Sequence, residues 1–130
     1  MSQKYEPIFK KYNKSNITFV APTTPKDRIK TLVENSSKFI YMVAYAGITG
    51  SGREEDLSQI IENIREYSQT PLYIGFGIDE KTCKEKSKNL DGVIVGSAFV
   101  KQFASLAPEQ AVVETVNKVK ELRAALDELV

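Results

Sequence analysis

Histidine is absent from the 130-residue sequence, and Cys83 is the only cysteine. The missing histidines remove the commonest general base and the commonest metal ligand, and a single cysteine excludes an internal disulfide. Catalytic triads, zinc sites and paired Cys/His chemistry are therefore excluded, and we predict no metal. Cys83 has neither a base nor a resolving thiol beside it in the sequence, so we interpret it as a structural residue.

The sequence also lacks a long hydrophobic run and an excess of charge of either sign. Its 18 basic and 17 acidic residues are scattered along the chain and give a formal net charge of +1. Balanced charge of this kind offers no surface for nucleic acid or an anionic membrane, and runs of a few apolar residues cannot cross a bilayer. We therefore expect a cytoplasmic protein that binds neither nucleic acid nor membrane.

Four short runs rich in β-branched and aromatic residues indicate β-strands. The runs cover residues 17–21, 39–44, 72–76 and 92–96. They are nearly continuous rather than alternating, which is typical of strands buried on both faces of a parallel sheet. Helical spacing lies between them, most clearly at Leu57, Ile60 and Ile64, and less clearly over residues 79–89.

The order of these elements predicts one α/β domain over residues 1–130. It consists of four parallel βα units, preceded by one helix at residues 5–12 and followed by a C-terminal helix that Pro108 opens. Alternating units build either a doubly wound sheet or a (βα)8 TIM barrel. A whole barrel needs about 250 residues, so we expect half a barrel here.

Two glycine steps follow the third and fourth predicted strands, Gly75-Phe76-Gly77 and Gly96-Ser97. A glycine at the end of a buried strand lets backbone N–H groups approach an anion closely, and Ser97 adds a hydroxyl donor. In a barrel, the loops after the last two strands form a recurrent phosphate site. Either step alone would also fit a tight turn, but two in successive units favour a small phosphate ester as the ligand. No dinucleotide fingerprint or Walker loop is present, and no cofactor is predicted.

A third segment rich in glycine, residues 46–53, follows the second predicted strand. Its composition fits a closing loop at the carboxyl end of the sheet, where such loops usually lie. An ordinary flexible connection has the same composition, so this pattern alone leaves both interpretations open.

Six short segments form a specific pattern when they are taken together. They are residues 20–25, 39–41, 47–50, 75–78, 91–98 and 100–101. In this order and at these spacings they resemble the tryptophan synthase alpha subunit family, over most of residues 5–103. The segments match the carboxyl-terminal half of that family's barrel.

The resemblance implies a (βα)8 barrel that cleaves indole-3-glycerol phosphate into indole and glyceraldehyde 3-phosphate in tryptophan biosynthesis, and that passes the indole to a beta subunit. It implies that Thr49, in a closing loop, helps to hold a catalytic aspartate and that Tyr41 lies close to the reacting carbon. The residues that it assigns to the substrate phosphate are Gly50, Phe76, Gly77, Gly96 and Ser97.

The two carboxylates needed for such a retro-aldol reaction belong, by the same resemblance, to the amino-terminal half, which this sequence does not contain. We therefore predict no catalytic residue in the chain and no lyase activity of the chain alone. A half barrel also has two open strand edges, which proteins pair or cover. A two-fold homodimer, a complementing amino-terminal half, or the chain's own termini would cover them.

Two other functions fit the same residues. A phosphate-binding half barrel that homodimerises would have no catalytic role. Another phosphosugar barrel enzyme would share the phosphate site, but residues 47–50 disfavour it.

Overall fold

The structure is a computed structural model, which describes residues 2–43, 57–79 and 81–129. Its centre is a sheet of four parallel strands in the order β1-β2-β3-β4. The strands are β1 (Thr18–Val20), β2 (Ile40–Val43), β3 (Leu72–Gly75) and β4 (Gly92–Ile94). Each lies within a run predicted from the sequence, and the parallel pairing is confirmed. Neighbours in the sheet are also neighbours along the chain, as in a barrel, whereas a doubly wound sheet reverses its strand order at a switch point.

Six α-helices flank these strands within the described ranges. They are α1 (Glu6–Lys11), α2 (Lys26–Val33), α3 (Ser58–Arg65), α4 (Cys83–Lys86), α5 (Ser97–Ser105) and α6 (Pro108–Asp127), and a short 3-10 helix, Ser2–Tyr5, precedes α1. The helix predicted over residues 79–89 is much shorter than expected. Asn89 has a φ of 61°, a left-handed conformation that a continuing helix does not allow. No helix among the described residues is both long and apolar enough to span a membrane.

The hydrophobic core lies between one face of the sheet and the helices. Ile40 and Met42 of β2, with Leu72 and Ile74 of β3, are fully buried on this face. They belong to one cluster with apolar side chains of α2, α3 and α6, which are Ile29, Val33, Ile60, Ile64 and Leu122. Cys83 is buried in the same cluster, in agreement with its interpretation as a structural residue.

The C-terminal helix α6 is part of this core. Ala111 and Leu122 are buried, and α6 packs against α4 and α5. An ion pair between Lys84 of α4 and Glu128 ties the end of α6 to the body of the protein. The last quarter of the sequence, which shows only generic amphipathic spacing, therefore has a clear structural role.

The opposite face of the sheet is open in the described part of the chain. Phe19, Tyr41 and Tyr73 lie in one row across β1, β2 and β3, and Phe19 is 57% exposed. A parallel sheet normally has both faces covered. Strands β1 and β4 each have one strand neighbour. The side chains of Ile8 and Tyr12, in the helix predicted at residues 5–12, are also exposed. This is the geometry of half a closed barrel.

Asp91 joins the amino-terminal ends of β3 and β4. Its Oδ2 accepts hydrogen bonds from the Leu72 backbone N–H at 2.7 Å and from Arg65 Nη2 at 2.6 Å. Arg65 Nη1 also donates to the Thr70 carbonyl at 3.0 Å. Partial burial acts to raise the pKa of Asp91, but the hydrogen bonds from Leu72 and Arg65 outweigh it and hold the pKa below its ordinary value. Asp91 is a structural link at the end of the sheet opposite the glycine steps.

Candidate phosphate site

The first glycine step forms a left-handed turn directly after β3. Phe76 has a φ of 68° and Gly77 a φ of 69°. Glycine adopts this conformation readily, but in a phenylalanine it costs roughly 1–2 kcal/mol. Strained residues of this kind concentrate at functional sites. Since Phe76 and Gly77 are exposed at the carboxyl end of the sheet, the turn is a candidate for ligand binding.

Tyr41 lies against this turn from the neighbouring strand. A Cβ atom on Gly75 would lie 1.9 Å from Tyr41 Oη, so the glycine leaves the space that the phenol ring fills. The Tyr41 ring stacks on Phe19 with 4.8 Å between centroids and meets Phe76 edge-on at 6.3 Å. Sequence reasoning identified Tyr41 and Phe76 but missed Phe19. The sequence did contain a signal for Phe19. Phe19 and Tyr41 lie near the middle of two neighbouring predicted strands, and side chains at paired positions of neighbouring strands face the same side of a sheet.

The second glycine step begins helix α5. Gly96 is the N-cap residue, and its carbonyl accepts hydrogen bonds from the N–H groups of Phe99 and Val100 at 3.0 and 3.2 Å. The first N–H groups of a helix have no carbonyl partner inside the helix, and together with the helix dipole they favour an anion. Ser97 is exposed at the first helical position, where its hydroxyl can also donate to an anion.

Glycine at position 96 is not explained by the protein's own packing. Its φ is negative, at −123°, with a ψ of −73°, and an added Cβ atom would meet none of the described residues within 4 Å. Gly75 and Gly77 are different, since the Tyr41 ring accounts for the first and a positive φ for the second. None of the described residues therefore fills the space beside Gly96, where the N–H groups of α5 emerge.

The sheet brings the two glycine steps together. Gly75 pairs with Ile94 in the register of β3 and β4. The segments that follow these two strands therefore leave the carboxyl end of the sheet side by side. Phe76, Gly77, Gly96 and Ser97 are all exposed there. Of the other predicted site residues, Tyr41 lies at the same edge, whereas Thr49 and Gly50 lie outside the described residues.

Asp79 is the described carboxylate nearest to the first step in the sequence, and its hydrogen bonds give it a capping role. Its Oδ1 accepts hydrogen bonds from the N–H groups of Lys81 and Thr82, each at 3.0 Å, and from Thr82 Oγ1 at 2.9 Å. Partial burial acts to raise the pKa of Asp79, but these hydrogen bonds outweigh it and leave the pKa below its ordinary value. A general acid at neutral pH needs the opposite shift.

A cavity of about 350 Å³ opens beside the turn that follows β1. Phe19 and Val43 contribute apolar surface to its lining, and Thr23, Thr24 and Arg28 contribute polar groups. Sequence reasoning did not predict it, because a cavity at a strand end depends on how the side chains pack and leaves no mark in residue spacing. Phe19 and Val43 place the cavity beside the stacked rings of Phe19 and Tyr41.

Comparison with known proteins decides the family, since residues 1–128 match the family model of the tryptophan synthase alpha chain. The chain belongs to the tryptophan synthase alpha chain family. It is 60% identical to the alpha chain of Wolinella succinogenes over 90 residues, which are 68% of this chain and 35% of that relative. It is 45% identical to the alpha chain of Acinetobacter baumannii over 132 aligned positions, which are 99% of this chain and 49% of that relative.

Solved structures of the alpha family agree with the fold. Tryptophan synthase subunit alpha from Campylobacter jejuni superposes with a TM-score of 0.75 at 36% identity, over 88% of this chain and 47% of that one. The a2b2 tryptophan synthase complex of Pyrococcus furiosus gives a TM-score of 0.71 at 22% identity, over 95% of this chain and 48% of that one, which supports the fold alone. The half-barrel prediction is confirmed, and the chain spans at most about half the length of the relatives it matches.

Proposed function

We propose that this chain is the phosphate-binding half of a tryptophan synthase alpha barrel, which holds indole-3-glycerol phosphate during its cleavage to indole and glyceraldehyde 3-phosphate. One observation carries the proposal. Gly96 is a glycine that contacts with the described residues do not require, and it stands at the first N–H groups of α5. A bound phosphate that approaches the backbone closely accounts for the missing side chain.

The proposed binding mode uses groups from both glycine steps. The phosphate accepts hydrogen bonds from the N–H groups at the start of α5 and from the Ser97 hydroxyl, while the α5 dipole stabilises its negative charge. The left-handed turn at Phe76 and Gly77 forms the facing wall. The Tyr41 ring meets Phe76 of this wall and stacks on Phe19, and these rings are suited to contact the apolar part of the substrate.

The cleavage also needs an acid and a base, and we propose that both come from outside this chain. Retro-aldol cleavage requires proton transfer to the indole ring and from the departing glycerol fragment. Asp79 is held in a cap, with its pKa shifted away from what a general acid requires. The chain therefore binds phosphate by itself and takes part in catalysis only with a carboxylate-bearing half. A beta subunit as the partner that receives the indole, and a cytoplasmic location, belong to the same proposal.

The binding proposal is tested by titrating the chain with glycerol 3-phosphate and inorganic phosphate and following backbone amide signals by NMR. We expect shifts at Gly96 and Ser97, and at least about ten-fold weaker binding by Gly96→Ala, because the new methyl group occupies the phosphate position. Gly92→Ala is the matched control. Among the described residues its Cβ atom meets the Tyr73 ring alone, at 3.3 Å, and Gly92 lies at the other end of β4. Equal affinity of the Gly96→Ala and wild-type proteins, or no binding by the wild type, would refute the proposal.

One observation favours a second function, which is a non-catalytic phosphate-binding half barrel that self-associates. The sheet has an open apolar face and two open edges, and a second copy would cover them without supplying the missing acids. The two functions differ in an assay of indole release after this chain is assembled with an amino-terminal half of the family. A stable complex that binds phosphate but releases no indole supports the non-catalytic function.

A further inference from the structure

The cavity beside the turn after β1 has no part in the proposed phosphate binding, and its lining combines apolar walls with one cation. The walls include Phe19 and Leu32, and Arg28 of α2 supplies the positive charge. A concave site with mainly apolar walls and a few polar groups is the usual form of a small-molecule site. Phe19 also belongs to the aromatic face, which is the row across the open side of the sheet formed by Phe19, Tyr41 and Tyr73.

Arg28 differs from the other basic side chains of α2 because it has no ion pair. Lys26 pairs with Glu66 at 3.0 Å, and Lys30 pairs with Glu34 at 3.8 Å. The other two arginines in the described ranges are also paired with carboxylates. Arg28 has no carboxylate partner in the described part of the chain, so its guanidinium group is available at the cavity.

The turn that forms one wall of the cavity is fixed by its own hydrogen bonds. The Ala21 N–H donates to Thr24 Oγ1 at 3.0 Å, and the Thr24 N–H donates to the Ala21 carbonyl at 2.8 Å. Pro25, the N-cap residue of α2, follows directly, and Thr23 adds an exposed hydroxyl to the lining. A wall that is ordered before a ligand arrives keeps the entropic cost of binding low.

The lining determines which ligand chemistry fits. A guanidinium group binds a planar carboxylate through two parallel hydrogen bonds. Arg28 is the one charged side chain among the described residues that line the cavity. A phosphate dianion would therefore keep an uncompensated charge beside apolar walls, and the ammonium group of an amino acid would find no carboxylate. The volume of about 350 Å³ suits a small ligand.

We propose that this cavity binds a small organic monocarboxylate with an aromatic or branched aliphatic body. The carboxylate pairs with Arg28, and the apolar body contacts Phe19 and Leu32. The site does not depend on the proposed phosphate site. Strands β1 and β4 lie at opposite edges of the sheet, separated by three strand spacings of about 4.8 Å each, so the two sites can be occupied and tested separately.

The first experiment titrates the chain with phenylacetate and follows backbone amide signals by NMR. We expect saturable shifts at Thr23, Thr24 and Arg28, and no displacement of phenylacetate by inorganic phosphate. Phenylacetamide has the same shape without the charge, so we expect it to bind at least about five-fold more weakly. The proposal would be overturned by equal binding of the two compounds, by tighter binding of phenyl phosphate, or by the absence of shifts at these residues.

The second experiment removes the cation. Arg28→Gln should weaken phenylacetate binding at least about five-fold and leave phenylacetamide binding unchanged, because only the charged ligand uses the guanidinium group. Arg123→Gln is the matched control, since it removes the same charge from an exposed arginine of α6 that does not line the cavity. Circular dichroism checks that both variants fold.

Two results of this second experiment would contradict the proposal. One is equal weakening of phenylacetate binding by the two substitutions, and the other is equal loss of phenylacetate and phenylacetamide binding in Arg28→Gln. The phosphate titration reports on Gly96 and Ser97 instead, so a failure of either site leaves the result for the other intact.

Discussion

At the scale of single residues, Phe76 combines the backbone conformation of a glycine with an aromatic side chain. Its φ of 68° strains the backbone, while its ring gains an edge-on contact with Tyr41. The two effects have opposite signs and similar sizes, roughly 1–2 kcal/mol of strain against about 0.5–1.5 kcal/mol for the ring contact. Two substitutions at this position separate them.

We predict that Phe76→Gly is more stable than Phe76→Ala by about 1 kcal/mol. Both variants lose the ring, but only glycine relieves the positive φ. At most positions the order is reversed, because glycine raises the entropy of the unfolded chain. Urea unfolding of both variants measures the difference. An alanine variant as stable as the glycine variant would show that the left-handed conformation carries no strain.

The glycine steps also show what sequence spacing reveals at this scale. The two steps were recognisable because glycines followed buried strands in successive units, and the register of β3 and β4 brings them together. The spacing did not show that glycine occupies each of these positions for a different structural reason. Gly75 makes room for Tyr41, Gly77 has a positive φ, and Gly96 lies beside open space. The first reason depends on a side chain of another strand, and the other two depend on a local backbone course that only the folded protein fixes.

At the scale of secondary structure elements, Asp91 connects α3, β3 and β4. Its carboxylate accepts the Leu72 N–H and pairs with Arg65, and its pKa lies below the ordinary value near 3.9. A carboxyl group whose pKa is lower in the folded state stabilises the protein above its unfolded-state pKa. That stability is lost as the pH falls through the lower, folded-state pKa.

We therefore predict that Asp91→Asn lowers the free energy of unfolding by about 1–2 kcal/mol at pH 7, since the amide gives weaker hydrogen bonds and no ion pair. The loss of stability of the wild type as the pH falls below the ordinary carboxyl pKa should be smaller in this variant. Asp127→Asn, which breaks an exposed ion pair with Arg123, is the control and should cost at most about 0.5 kcal/mol. Chemical denaturation at several pH values measures both, and parallel pH profiles for Asp91→Asn and wild type would contradict the assignment.

The strands were predictable from the sequence, and the bounds of helix α4 were not. Each strand is a compact run of β-branched and aromatic residues that parallel pairing buries, so composition alone located β1 to β4 within one or two residues. The segment around α4 has few apolar residues, and its course is set by the Asp79 cap at one end and the positive φ of Asn89 at the other. Local hydrogen bonds and turn conformations therefore set the bounds of α4, which hydrophobic spacing did not define.

At the scale of the whole molecule, burial is one-sided. The helices cover one face of the sheet, while the other face and parts of α5 and α6 expose large apolar side chains such as Phe19, Phe103, Val112 and Val116. An exposed apolar surface of this kind marks a binding face or an aggregation hazard. Since the buried face has a continuous core, the chain should still fold cooperatively without a partner.

We predict that the isolated chain binds the dye anilinonaphthalene sulfonate while it keeps its near-ultraviolet circular dichroism and a cooperative unfolding transition. This combination distinguishes an ordered protein with an open apolar face from a molten globule, in which dye binding accompanies the loss of fixed side-chain packing. Phe19→Glu should lower dye fluorescence at least two-fold, because it introduces a charge into the aromatic face, whereas Phe103→Glu should lower it less. Dye binding with no near-ultraviolet signal would instead mean that the buried face does not pack stably until a partner covers the open one.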